Sequence, residues 1–155
     1  MIETIKQVSV FLENKPGRLA KVLSALAKEK VNVTALTVMD SHEHSALRLV
    51  TGDPAKTVQV LNAAGFRHAE SDVLLVELKN QPGALAHVCE LLAGDHINID
   101  YCYASSGGRN GKVYGVFKAT NLDRAKQLLT GGSSNNKRPE RKPLRDKRSY
   151  SGPAR

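Results

Sequence analysis

In the stretch Ile5-Lys6-Gln7-Val8-Ser9-Val10-Phe11-Leu12, the residues Val8, Val10 and Leu12 alternate with others, which predicts a strand with one buried face. A break at Asn14-Lys15-Pro16-Gly17 follows. Leu19, Val22, Leu23 and Leu26 then recur at three- and four-residue spacing, the apolar stripe of a helix. Pro16 is expected in the first helical turn, where its missing N–H costs nothing. Alternation returns over residues 31–39, polar hairpin residues occupy 40–45, and a third strand is predicted over 46–51. Asp53-Pro54, an acidic cap followed by proline, opens a second helix that runs to about Ala64. Gly65 stops it, and residues 66–70 are expected to form a short fourth strand.

The same order then starts again. Shifted by 66 residues, 13–34 aligns with 79–100 and 9 of the 22 positions are identical, among them Asn14/Asn80, Pro16/Pro82, Gly17/Gly83 and Asn32/Asn98. Val31 and Val33 become Ile97 and Ile99, which keeps the buried shape. The chain is therefore an internal duplication. Its second copy predicts strands over 73–78, 97–105 and 112–120, a helix carrying Leu85, Val88, Cys89 and Leu92, and a last helix from near Asn121 to about Leu129.

Aligning the second helices needs a shift of 68, which puts 66–71 opposite 134–139, where no apolar residue is available for a strand. The expected fold is α+β: two tandem ferredoxin-like βαββαβ domains, 1–71 and 72–131, the second lacking a clear last strand. Residues 132–155, rich in Ser, Asn, Pro, Lys and Arg, are expected to be a disordered basic tail. With no last strand in the second copy, the edge at 73–78 is either open to another chain or covered by the short strand or a loop of the first copy.

Composition narrows the function. With 41% hydrophobic and 25% charged residues among 155, the chain falls in the soluble globular class. There is no Trp and only 5% aromatics, so the core must be built from Val, Leu, Ile and Ala. No apolar run approaches the roughly 20 residues of a membrane span, and Met1-Ile2-Glu3-Thr4 does not read as a signal peptide. No membrane association and a cytoplasmic location are expected. Cys89 and Cys102 form no CxxC motif and read as reduced packing residues.

The net charge of +8 suggests nucleic acid until it is located. Residues 133–155 hold eight Lys/Arg against two acids, so +6 of the +8 belongs to the tail. Lys137, Arg138, Arg141, Lys142, Arg145, Lys147 and Arg148 could contact phosphates with salt-dependent affinity. Tyr150 is the tail's one residue able to stack on a base. The alternative function is thus a dimeric interaction module whose tail binds nucleic acid or another polyanion.

Catalytic and metal signals are weak. Asp40-Ser41-His42-Glu43-His44 alternates histidines but has no further ligand nearby, and a polar hairpin tip accounts for it, so no metal is expected. Gly107-Gly108-Arg109-Asn110-Gly111 lacks the GK[ST] ending of a phosphate loop and reads as a turn. With no Ser-His-Asp or paired-carboxylate arrangement, neither enzymatic activity nor a cofactor is expected.

The paired Asn-x-Pro-Gly after a strand, then an apolar helix, then Val-Asn-Val or Ile-Asn-Ile, resembles the ACT domain, and the duplication resembles small tandem ACT proteins over about residues 4–130. The resemblance implies a regulatory protein that binds a free amino acid where two domains meet and passes that state to an assembly or partner. A homodimer is expected separately, from the missing last strand and the edge it would leave open at 73–78. Residue chemistry agrees with the implied ligand. Gly17 and Gly83 have no Cβ to hold a ligand away, and the first-turn amides beside them suit a carboxylate. The candidate ligand-binding residues are Asn14, Pro16, Gly17, Arg18 and Leu19 in the first copy and Asn80, Pro82, Gly83, Ala84 and Leu85 in the second. Asn32 and Asn98 match the family asparagine that reaches the ligand from a neighbouring domain. The serine-sensing members carry a histidine two residues before the loop asparagine, where this chain has Leu12 and Leu78, so serine is not implied. The competing reading is a good strand-to-helix turn, with asparagines that satisfy only backbone groups.

Overall fold

The computed structural model describes residues 1–39, 44–105 and 112–131. The expected hairpin tips with His42 and Gly107–Gly111, and the basic tail, lie outside the described residues. Ten elements follow in order: β1 (Ile2–Glu13), α1 (Arg18–Lys28), β2 (Val33–Met39), β3 (His44–Thr51), α2 (Pro54–Ala63), β4 (His68–Lys79), α3 (Ala84–Gly94), β5 (Ile99–Ala104), β6 (Lys112–Ala119) and α4 (Leu122–Gly131). All six strands form one antiparallel sheet in the order β2-β3-β1-β4-β6-β5. The expected α+β, twice-repeated ferredoxin-like layout is what the chain adopts.

β1 and β4 are both 12 residues long and sit 66 positions apart along their whole length. They pair antiparallel from Ile2↔Val76 to Val10↔His68. The predicted short strand at 66–70 and the strand at 73–78 are therefore one strand, and the expected boundary between 71 and 72 falls inside it. The candidate open edge at 73–78 does not exist. Ile2, Glu3, Thr4 and Ile5 pair with Val76, Leu75, Leu74 and Val73, while β6 takes the other side of β4. The first half of β1 thus supplies the last strand that the second copy lacks. The cause is the extra length of β1, which begins three residues before the predicted Ile5.

Even-numbered residues of β1 and β4 face the helices. Val8, Val10 and Leu12 pack with Val22 and Leu26 of α1 and Val60 and Leu61 of α2. Leu74, Val76 and Leu78 pack with Val88 and Leu92 of α3 and Ala125 of α4. Odd-numbered residues face the opposite side, where Ile5, Val73 and Leu75 meet Ala35, Val50 and Val116. The sheet curls so that edge strands β2 and β5 approach each other across this concave side.

Pro16 does not enter the helix. Gly17 takes φ 84°, a left-handed conformation outside the helical region, so α1 starts only at Arg18. Asp53 caps α2 as expected, its carboxylate accepting from the Lys56 amide at 2.9 Å with Pro54 at the helix start. Of the two thiols, Cys89 packs on the second core, but Cys102 is exposed on edge strand β5 and so is not a packing residue. Among the described residues, no helix is long and apolar enough to cross a membrane.

Candidate functional site

The two Asn-x-Pro-Gly loops repeat one geometry. Gly17 has φ 84° and ψ −11°, Gly83 φ 86° and ψ −10°, values that a side chain would strain. The amides of Lys15 and Gln81 donate to the Glu13 and Lys79 carbonyls at 2.8 Å in both loops. Arg18 and Ala84 amides donate to the Lys15 and Gln81 carbonyls, both at 3.3 Å. Lys21 and His87 amides return to the Gly17 and Gly83 carbonyls at 3.0 and 2.9 Å. The amides of residues 19–20 and 85–86 lie between these bonds, in first turns that have no intrahelical acceptors for them. No side chain caps either helix, and a Cβ added at Gly17 or Gly83 would meet nothing within 4 Å. Leu19 and Leu85 stand beside these turns, 37% and 42% exposed.

The loops differ in charge. In the first, the Glu13 carboxylate meets Lys15 at 2.8 Å and Arg18 at 3.2 Å, and these cations, Lys15 foremost, hold its pKa below the ordinary glutamate range. The equivalent positions in the second loop are Lys79, Gln81 and Ala84, which form no such cluster. A cavity of about 310 Å³ beside the first loop is lined by Phe11, Glu13, Arg18, Lys21 and Phe66, among others.

Because β1 and β4 are antiparallel, the two loops lie at opposite ends of the pair. The first brings together Asn14, Pro16, Gly17, Arg18 and Leu19, the second Asn80, Pro82, Gly83, Ala84 and Leu85. Asn32 and Asn98 belong to neither group. Their carbonyls accept from the Gly52 and Thr120 amides at 3.2 and 3.1 Å, which locks the start of β2 and of β5. The Asn98 side chain donates to Asp100 at 3.0 Å. Asn32 instead lines a cavity of about 620 Å³ on the concave side, together with Glu3, Ile5, Val50, Leu75 and Tyr114.

The family is decided by the whole pattern: the ACT domain pair matches residues 3–135. This chain belongs to that family. An ACT pair is a regulatory, amino-acid-binding, tandem ferredoxin-like unit. Protein BT0572 from Bacteroides thetaiotaomicron, a crystal structure, is 33% identical with a TM-score of 0.78, over 85% of this chain and 90% of that one. The ligand-free regulatory subunit of aspartate kinase from Thermus thermophilus is 14% identical (TM-score 0.61, 84% of this ACT pair and 93% of that chain). Its counterpart from Thermus flavus is 17% identical (TM-score 0.58, 86% and 95%). Those two likenesses show the fold. No protein of curated function matches this ACT pair.

Residue patterns did not single out the concave side. Glu3, Gln7, Tyr101, Tyr103 and Tyr114 were not expected to act together. Gln7 was the available signal, since it stands where the second copy carries Val73.

Proposed function

We propose that this ACT pair is a cytoplasmic regulatory protein that binds a free amino acid at its Asn-x-Pro-Gly loops and passes the bound state to its own assembly or to a partner. The observation that carries this reading is the matched pair of left-handed glycines opening two uncapped helix starts. The ligand carboxylate sits on the first-turn amides, where the helix dipole favours negative charge. Asn14 and Asn80, each with a donor and an acceptor, orient its polar ends. Pro16 and Pro82 set the turn, Arg18 and Ala84 begin the two helices, and Leu19 and Leu85 flank the ligand side chain.

Each loop is open and lies far from the other, so a second chain closes the site, in a homodimer that brings Asn32 or Asn98 of the partner over the loop. A ligand held there stabilises one packing over others, which is the minimum needed for regulation. The test is a thermal-shift screen against the twenty amino acids, followed by light scattering with the responding one. A ligand at 100 times its Kd adds about 2.7 kcal/mol, roughly an 8 °C rise for a body of this size. A flat panel, or a rise unchanged in Asn14→Ala combined with Asn80→Ala, overturns the reading.

A further inference from the structure

We infer that the concave cavity is a separate binding site for a small organic cation, an alkyl- or arylammonium that carries no carboxylate. At about 620 Å³ it has the size of a small-molecule pocket. Ile5, Val50 and Leu75, from three different strands, give it an apolar floor. Glu3 lies directly opposite Leu75 in the β1–β4 register and two residues from Ile5, so its exposed carboxylate stands at the rim of that floor.

Among the described residues, Glu3 is the one charged side chain lining the cavity. The terminal amine of Met1 is turned toward Glu77, 4.0 Å away. The nearby start of α2 does not invite an anion, because Asp53 already caps it. A carboxylate ligand would therefore face Glu3 with no compensating side-chain cation among the described residues, whereas an ammonium gains a charge-assisted hydrogen bond to Glu3. Asn32, Thr34 and the Tyr114 hydroxyl also line the cavity, and their side chains make no hydrogen bond among the described residues. They are free to orient the ligand.

At the equivalent place in the other copy, the polar side chains bond to groups of the chain itself. There Asp100 stands for Thr34 and takes the Asn98 amide, and Lys118 stands for Val50 and donates to the Asp72 carbonyl at 3.0 Å. The polar groups that remain available around Asn32 are internally consumed around Asn98. The inferred site lies in the Asn32 copy, and it stands independently of the Asn-x-Pro-Gly loops.

Calorimetric titration of the full chain with phenethylammonium, against 3-phenylpropionate as the matched anion, tests the assignment. Phenethylammonium binds and phenylpropionate does not. Glu3→Gln, an isosteric change at an exposed strand position, keeps the circular-dichroism spectrum and lowers ammonium affinity about tenfold, the scale of a hydrogen bond to a charged group. Equal binding of cation and anion, no heat with either, or full affinity in Glu3→Gln overturns the inference.

Discussion

On the concave side, Gln7 donates to the Tyr101 hydroxyl at 2.8 Å and accepts from the Tyr103 hydroxyl at 2.9 Å, with Ser9 and Ser71 within 3.4 Å and Arg48 stacked 3.7 Å above the Tyr101 ring. The positions equivalent to Gln7, Ser9, Ser71, Arg48 and Tyr101 are Val73, Leu75, Ile5, Val116 and Ala35, which form the apolar cluster. One half of this face is a polar network and the other is hydrophobic. On the helix side the copies match instead: Val22/Val88, Leu26/Leu92 and Val31/Ile97 are buried in both. Each copy must cover its own helices, so that core is repeated. The concave face is shared between the copies, so its two halves were free to diverge into a latch and a cavity floor.

Even the repeated core has a paired exchange of large and small residues, and it carries the largest expected effect. Leu47 and Leu49 of β3 correspond to Gly115 and Phe117 of β6. The Phe117 ring leans over Gly115, and a Cβ there would come within 2.7 Å of it. Phe117→Ala should cost about 3–5 kcal/mol, and Leu49→Ala at the equivalent site about 2–5 kcal/mol. Gly115→Leu alone should destabilise by about 1–3 kcal/mol or more through overpacking. Gly115→Leu with Phe117→Leu rebuilds the first copy's pair and should recover much of that loss. Urea denaturation of the singles and the double reads the coupling. Strict additivity would show that the copies do not share a packing solution.

The helix side was legible because its signals are local. Val8, Val10 and Leu12 announce a strand face, and Leu19 to Leu26 announce a helix stripe, from spacing alone. The loops were legible because Pro16-Gly17 and Pro82-Gly83 are repeated, although the left-handed Gly17 that ends the turn kept Pro16 out of the helix. The pairing of Ile2–Ile5 with Val73–Val76 was not legible, since it joins residues about 70 apart and depends on which strand reaches the edge first. The latch was hidden for a related reason. Gln7 looks like a solvent-facing residue in an alternating strand, and only the curl of the sheet brings Tyr101 and Tyr103 over it.

The latch gives the next effect in size. Gln7 is fully buried, and its amide is satisfied by two hydroxyls from the other copy. Gln7→Val imitates Val73 but strands those hydroxyls, at a cost of about 1–3 kcal/mol. Adding Tyr103→Phe should return part of it. Burial raises the pKa of Tyr103 above the ordinary tyrosine value. Above about pH 10 the unfolded chain therefore loses this proton while the folded chain keeps it, so stability falls as pH rises. Tyr103→Phe should flatten that alkaline decline in denaturation midpoints measured between pH 8 and 11. A decline of unchanged slope would mean that Tyr103 is not sheltered by the latch.

The smallest effect probes the most faithfully copied detail. Lys30 and His96, 66 residues apart, both hold positive φ, 57° and 56°, just past α1 and α3. Their amides donate to Ala27 and Ala93, and the next amides, of Val31 and Ile97, donate to Leu26 and Leu92 at 2.9 Å. This is the bonding of a helix that ends in a left-handed residue and then drops an apolar side chain into the core. A side chain in that conformation costs about 1–2 kcal/mol, part of which glycine gives back through its looser unfolded chain. Lys30→Gly and His96→Gly should each stabilise by about 0.5–1 kcal/mol, and the two gains should add, because the sites share no partners. Thermal melts of both singles and the double measure this. A gain at one site and a loss at the other would show that the two caps, alike in backbone, are held by different surroundings.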